Sequence, residues 1–394
     1  MKISQKAKVI EPSLSRQLFN RAKQYPNVID LTLGDPDFPP SPVIRDAACA
    51  AIHAGKTRYS ANAGLLELRQ AIAACMADEY GIAPDPGKNI IVTVGGMEAL
   101  YLSLACLLDE GDEVIIPAPY YVNYVQMVRV CGGVPVIIET SEEAGFVFTA
   151  EQLEAAVTER TVAIILNSPC NPTGMMLGAA LLDEVAEIAR KHDLVVISDE
   201  VYRSLIYDGN VHESMITRPG MQERTVLVDS LSKRFAMTGY RIGYAIAPEE
   251  LTANMVKMQE NVAACAPLPS QHAGIAAYRL CHQDTHIAQK FLERRDYIYQ
   301  AINEMDGLRC IKPAGTFYLF VNIAATGLDC LTFAYRLLED EQVAVVPGIT
   351  YGTAYSDYIR IAFTLELNDL KEAANRLARF LSSLRTEKKE VGLQ

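Results

Sequence analysis

Seven short runs of aliphatic and β-branched residues recur along the first two thirds of the chain, at residues 90–94, 113–116, 134–138, 161–166, 194–198, 225–228 and 241–247. Between most of them lie a turn of glycine, proline or small polar residues and a longer stretch with apolar positions every three or four residues. Each run is too short for a helix and apolar on both faces, as in a strand covered on both sides. Strands alternating with helices predict an α/β fold: a large domain with a mainly parallel seven-stranded sheet covered by helices, and a smaller α+β domain.

Ligands of such sheets bind outside the carboxyl ends of the strands, and that is where the chemically distinctive residues fall. The run at 90–94 opens into Gly95, Gly96 and Met97 at the start of a helix. Unpaired N–H groups and the positive helix end can hold an anion there. The run at 161–166 leads to Asn171 inside Pro169-Cys170-Asn171-Pro172-Thr173-Gly174, and the run at 194–198 stops at Asp199, Glu200 and Tyr202. A carboxylate at the end of a buried strand must be paired or protonated. The run at 225–228 delivers Ser230, Ser232 and Lys233, with Arg241 eight residues further on. That is an amine beside an anion site, because a desolvated lysine can lose its proton and condense with an aldehyde, while arginine holds phosphate bidentately. On its own residues Lys233 reads equally well as a solvated surface lysine.

Composition closes off several other classes. Of 394 residues, 48 are acidic and 36 basic, a formal net charge of −12 that disfavours nucleic acid or an anionic membrane as partner. Nine scattered cysteines, with no C-x-x-C pair, read as reduced thiols of a cytoplasmic protein. The one helically spaced histidine pair, His282 and His286, has no further ligand near it in sequence, so no metal site is expected. The polar start of the chain lacks the apolar core of a signal peptide, and no apolar run approaches a membrane span. Neither a G-x-G-x-x-G nor a Walker sequence is present.

Ser230-x-Ser232-Lys233 followed by Met237-x-Gly239-x-Arg241-x-Gly243-Tyr244, with the Asn-Pro-Thr-Gly motif and Asp199 upstream, resembles the class I/II aminotransferases, pyridoxal 5′-phosphate (PLP) enzymes of fold type I that include aspartate aminotransferase. The resemblance spans residues 25–385. It implies a Lys233 aldimine with PLP, a phosphate held by Gly95, Gly96, Met97, Ser230, Ser232 and Arg241, and a ring flanked by Tyr121, where relatives often carry tryptophan. It further implies that Asn171 and Tyr202 bond the ring hydroxyl, that Asp199 meets the ring nitrogen, and that Gly34 and Arg360 meet the substrate, the arginine through its α-carboxylate. Tyr59 is implied to reach the neighbouring subunit's phosphate in a homodimer. The expected reaction exchanges an amino group between an L-amino acid and a 2-oxo acid. Aspartate-directed relatives often carry lysine at the position of Met97, which raises the expectation of a neutral or aromatic side chain while leaving aspartate open should an arginine elsewhere compensate. A carbon–sulfur β-lyase of the same fold would share these cofactor residues. A ligand-sensing regulator on this fold would carry a basic DNA-binding domain in front, whereas this chain begins almost directly at the arm.

The expected domains are 1–45, an arm and part of the small domain; 46–285, the large PLP-binding domain; and 286–394, the C-terminal small domain. Further expectations are a short helix at 13–24, a helix opened by a Thr149/Gln152 capping box, one long helix within 249–302 that links the domains, and a frayed charged tail at 385–394.

Overall fold

Strands that are apolar on both sides can be buried only if helices cover both faces, and the computed structural model, which describes residues 1–8, 10 and 14–391, has that layering. The large sheet comprises β1 (Ile90–Thr93), β2 (Glu113–Pro117), β3 (Val134–Ile138), β4 (Thr161–Asn167), β5 (Val195–Asp199), β6 (Thr225–Ser230) and β7 (Gly243–Ile246). Their spatial order is β1-β7-β6-β5-β4-β2-β3. The pairings from β6 across to β3 are parallel, and β7 runs antiparallel to both of its neighbours.

Successive side chains alternate between faces, as pleating requires. Val114, Ile116, Ala163, Ile165, Ile197, Val226 and Val228 join one apolar cluster with the helices Gly96–Leu107 and Asn123–Val130. Ile115, Ile164, Leu166 and Val196 join another with Leu182, Val185, Ile188 and Ala189 of helix Ala179–Lys191. Leu68, Ile72 and Met76 of helix Leu66–Tyr80 pack on the β1, β6 and β7 end, as their three- and four-residue spacing predicts. The Thr149/Gln152 capping box forms in both directions ahead of helix Ala150–Ala156.

A separate four-stranded antiparallel sheet, ordered Val346–Pro347, Tyr358–Ala362, Tyr318–Asn322 and Arg309–Cys310, lies against the helices His286–Glu304, Cys330–Glu341 and Leu367–Val391. The N-terminal stretch joins this part through the parallel pair Ile29–Asp30 with Val343–Ala344.

The helical stretch expected from 249 to 302 is three helices, Glu249–Val262, Leu268–Cys281 and His286–Glu304, the last the longest at 19 residues. Pro267 and Pro269 at the start of the second cannot donate to a continuing helical ladder, and Ala264 turns left-handed before them at φ 61°. One expectation is corrected: the tail is not frayed at 385, because Leu367–Val391 is one helix tied by Arg336–Glu387 and Arg385–Asp306 ion pairs. Residues 392–394 of that expected tail, and Ser13 at the expected start of the first helix, lie outside the described residues; that helix is described over Leu14–Ala22.

Candidate active site

The carboxyl ends of β1, β2, β4, β5 and β6 share one edge of the large sheet, and antiparallel β7 brings its amino end, preceded by Arg241, to the same edge. There they enclose a cavity of about 500 Å³ that also takes in Arg360 and Tyr318 from the antiparallel sheet and Gly34 from the N-terminal segment. Every residue expected at the site lines it except Gly95 and Tyr59. Gly95 lies directly behind Arg241. A Cβ there would sit 2.6 Å from the guanidinium, and the residue's φ of 76° also favours glycine. Tyr59 is 86% exposed on its loop, outside this chain's own cavity.

Lys233 points its Nζ at the carbonyl of Gly34, 2.6 Å away. Gly34 can come so close only without a side chain, since a Cβ would fall 1.8 Å from the Tyr318 hydroxyl. Burial pulls the Lys233 ammonium down to about 8; Asp35 opposes the shift, and the Arg360 and Arg241 charges assist it. The amine is thereby poised near neutrality for proton transfer.

Asp199, at the end of β5, is 4% exposed. Its Oδ2 accepts from the Tyr124 hydroxyl at 2.5 Å and its Oδ1 from the Val201 N–H at 3.3 Å. Burial nonetheless raises its pKa to about 6, against these two hydrogen bonds and with help from the Asp229 and Glu200 charges. Glu200 faces away from the cavity and accepts from Ser198 and Ser214.

The anion corner combines the amino end of helix Gly96–Leu107, which no side chain caps, with Ser230, Ser232 and Arg241. Ser230 Oγ is 2.8 Å from Ser232 Oγ, and Arg241 Nη1 donates to the Thr238 carbonyl at 3.1 Å. Arg241 occupies the left-handed region at φ 52°, a strained backbone for a side chain this large. Opposite, Arg360 donates to Asn171 Oδ1 at 3.1 Å and to the Thr32 carbonyl, stacks 4.2 Å over the Tyr318 ring, and leaves Nε buried without a hydrogen bond. Far from an outward-facing position on an alternating strand, it is 5% exposed.

Tyr124, Asn167 and Tyr318 escaped the sequence reading. Tyr124 lies three residues past Tyr121, so the opening turn of helix Asn123–Val130 brings the two rings to 5.5 Å; that spacing was the available signal. Asn167, the last residue of β4, accepts from the Asn171 N–H at 2.8 Å and donates to the Asp199 carbonyl at 3.0 Å, bracing two strand ends together. Tyr318 shares a 3.1 Å contact between hydroxyls with Tyr202.

Residues 26–377 match the family described as aminotransferase class I and II. The chain belongs to that family. It is 40% identical to an aspartate aminotransferase from Pyrococcus abyssi over 97% of this chain and 98% of that protein. It is 38% identical to aromatic-amino-acid aminotransferase 2 from Thermococcus litoralis over the same shares of the two chains. The structure of an aspartate aminotransferase from Rhizobium meliloti superposes with a TM-score of 0.93 at 35% identity, covering 97% of this chain and 99% of that one. The protein is thus a PLP-dependent aminotransferase of fold type I.

The cavity of this aminotransferase fits PLP on its own chemistry. It holds one lysine brought toward its free-amine form for the aldehyde, an uncapped helix start with hydroxyls and a guanidinium for the phosphate, and a buried carboxylate with room for one more donor.

Proposed function

We propose that this aminotransferase acts through Lys233 as the cofactor-bearing residue and proton carrier, and that it prefers donors with aromatic or neutral side chains to aspartate. The first part is supported by the convergence of a lysine near pKa 8, a buried carboxylate and a buried arginine on one cavity.

In this reading Gly96 and Met97 present backbone N–H groups to the phosphate alongside Ser230, Ser232 and Arg241; the N–H of Gly95, also expected there, is instead held by the Thr93 carbonyl at 2.9 Å, and that glycine makes room for Arg241. Tyr121 faces the ring, Asn171 and Tyr202 bond its hydroxyl, and Asp199 holds a proton on its nitrogen. When bound, PLP supplies an electron-poor ring that stabilises the negative charge left when the substrate's Cα loses its proton. Lys233, once the substrate's amine has taken its place, would be the free amine that accepts the proton leaving Cα and holds it within the site. Arg360 fixes the α-carboxylate with Asn171 and the backbone of Gly34 beside it, so that the Cα–H bond faces Lys233.

Arg360→Lys should raise KM for the amino donor ~10- to 100-fold while PLP affinity stays within twofold. A lysine gives up the paired bonds of the guanidinium, each charged hydrogen bond being worth about 1.5–3 kcal/mol. Equal losses of donor and PLP binding in steady-state kinetics and cofactor titration would remove Arg360 from this role.

The donor preference follows from charge. Among the described residues, Lys233, Arg241 and Arg360 are the only lysines and arginines lining the cavity, and each already has a task; Phe19, Leu33, Met97, Leu100 and Val122 supply apolar wall. A second carboxylate would be desolvated there with no cation of this chain left to pair with it. Single-turnover kinetics should give L-phenylalanine or L-tyrosine at least a tenfold higher kcat/KM than L-aspartate, and parity or the reverse order would refute the preference.

The proposal extends to the domain division at residues 45 and 285 and to a cytoplasmic homodimer in which Tyr59 reaches the other subunit's phosphate. The exposure of Tyr59 supports its reach to a neighbour, and the unpaired state of the nine cysteines supports a reducing compartment; the boundary at 45 falls within the helix Pro42–His53. A solution mass near twice 43.3 kDa is the companion check.

A further inference from the structure

Three loops carry the chemistry of the site, and all three are tied from behind by consecutive residues, Glu79 and Tyr80, that end the helix Leu66–Tyr80. Neither lines the cavity. One carboxylate oxygen of Glu79 pairs with Arg234, the residue after Lys233; the other pairs with Arg203, the residue after Tyr202. Arg203 is 5% exposed, and its Nε continues to Asp229 Oδ2 at 2.8 Å. Asp229 in turn accepts the Ser230 N–H at 2.6 Å, on the strand that ends in the anion corner.

Tyr80 takes the third loop. Its hydroxyl is 2.7 Å from Nδ1 of His212, whose Nε2 is 2.9 Å from the Ser168 carbonyl, three residues before Asn171. A carbonyl can only accept, so Nε2 carries the proton and Nδ1 accepts from Tyr80. Burial depresses the His212 pKa to about 4, with the Ser168 bond opposing, so the ring stays neutral and this polarity persists at working pH.

The Glu79 carboxylate also separates two guanidiniums that would otherwise repel each other. Burial raises its pKa, but the Arg203 charge and the Arg234 hydrogen bond outweigh burial and hold it near 2, so the charge is present throughout the neutral range. Removing it leaves two cations facing each other, one adjoining Lys233 and the other adjoining Tyr202, so strain falls on the relative placement of those two side chains. Displacements of an ångström are enough to cost orders of magnitude in rate.

We propose that Glu79 and Tyr80 are positioning residues that hold the Lys233, Asp199–Tyr202 and Asn171 loops in mutual register, so that PLP affinity and proton transfer depend on a helix end that touches neither cofactor nor substrate. The proposal rests on Lys233 being the cofactor-bearing lysine.

The test is PLP titration of the apoenzyme by absorbance, with steady-state kinetics and thermal unfolding on the same preparations. Glu79→Gln should weaken PLP binding at least tenfold and lower kcat at least tenfold, while KM for the donor moves less than threefold because Arg360 stands on the other sheet. Glu79→Asp, which restores the charge, should recover most of the PLP affinity, and Tyr80→Phe should weaken it about threefold. A lowered Tm in Glu79→Gln with PLP affinity and kcat within twofold of wild type would reduce the pair to a structural role and overturn the proposal. Should Glu79→Gln not fold, Arg234→Gln and Tyr80→Phe carry the same readouts, and both within twofold of wild type would likewise overturn it. A wild-type protein that takes up no PLP would refute the Lys233 assignment itself, whereas normal uptake by wild type and Glu79→Gln alike refutes only the positioning role.

Discussion

Lys233→Ala should lower kcat by at least ~10³-fold, within the range that a positioned general base contributes. It should also leave PLP held without a covalent bond. The phosphate corner is untouched by the substitution, so the cofactor should still enter, and borohydride should no longer fix it to the protein. Methylamine added to the variant should restore part of the rate, because a small amine can occupy the vacated space and accept the proton. The apoenzyme supplies a readout independent of turnover. A lysine with folded pKa near 8 against an ordinary value of 10.5 binds fewer protons folded than unfolded between those values, so its contribution to stability rises with pH across that window. Below about pH 8 the full desolvation cost is present. Apo Lys233→Ala should therefore melt higher than apo wild type at pH 7, and the gain should shrink as pH climbs toward 10. Full turnover by the variant, or borohydride fixation that persists without Lys233, ends the assignment.

The large sheet was legible because strands buried on both faces are written as unbroken apolar runs, and the strand-end rule then collected Gly96, Asn171, Asp199 and Lys233 without reference to any three-dimensional contact. Local chemistry was legible too: the Thr149/Gln152 box and helix Ala179–Lys191 appear where capping and spacing put them. What escaped depends on partners distant in sequence. Arg385 and Glu387 looked like a solvated tail until Asp306 and Arg336, from other helices, met them. Glu79 reads as one surface charge among several, and its partners Arg203 and Arg234 are 124 and 155 residues away. Pro267 and Pro269, by contrast, were in plain view and mark where one helical segment ends and the next begins. Tyr59 exposes the limit of a single chain, since its proposed work lies on a neighbouring subunit.

Asp199→Asn should cost kcat ~10²- to 10³-fold with a smaller loss of PLP affinity, since an amide of the same shape cannot hold a proton on the ring nitrogen. The ordinary alternative is that Asp199 only braces the end of β5 through Tyr124, which asparagine could partly imitate. Stability separates the two. With its pKa raised from 3.8 to about 6, Asp199 binds more protons folded than unfolded between those values, so the apoenzyme loses stability as pH rises through that window and carries the full cost above 6. A bracing residue is optimised for the fold, whereas this carboxylate destabilises the empty site and is useful only when a cation arrives. Apo Asp199→Asn should thus melt higher than wild type at pH 7.5, with the gain fading below about pH 6. That is the reverse of the pH trend expected for Lys233→Ala, whose gain fades above about 8. Two substitutions that each stabilise the empty protein at neutral pH, fade at opposite ends of the scale and each lower kcat by ~10²-fold or more would identify an acid and an amine held apart for a cofactor. A variant at 199 that loses stability at pH 7.5 and keeps its kcat would return Asp199 to an ordinary structural role.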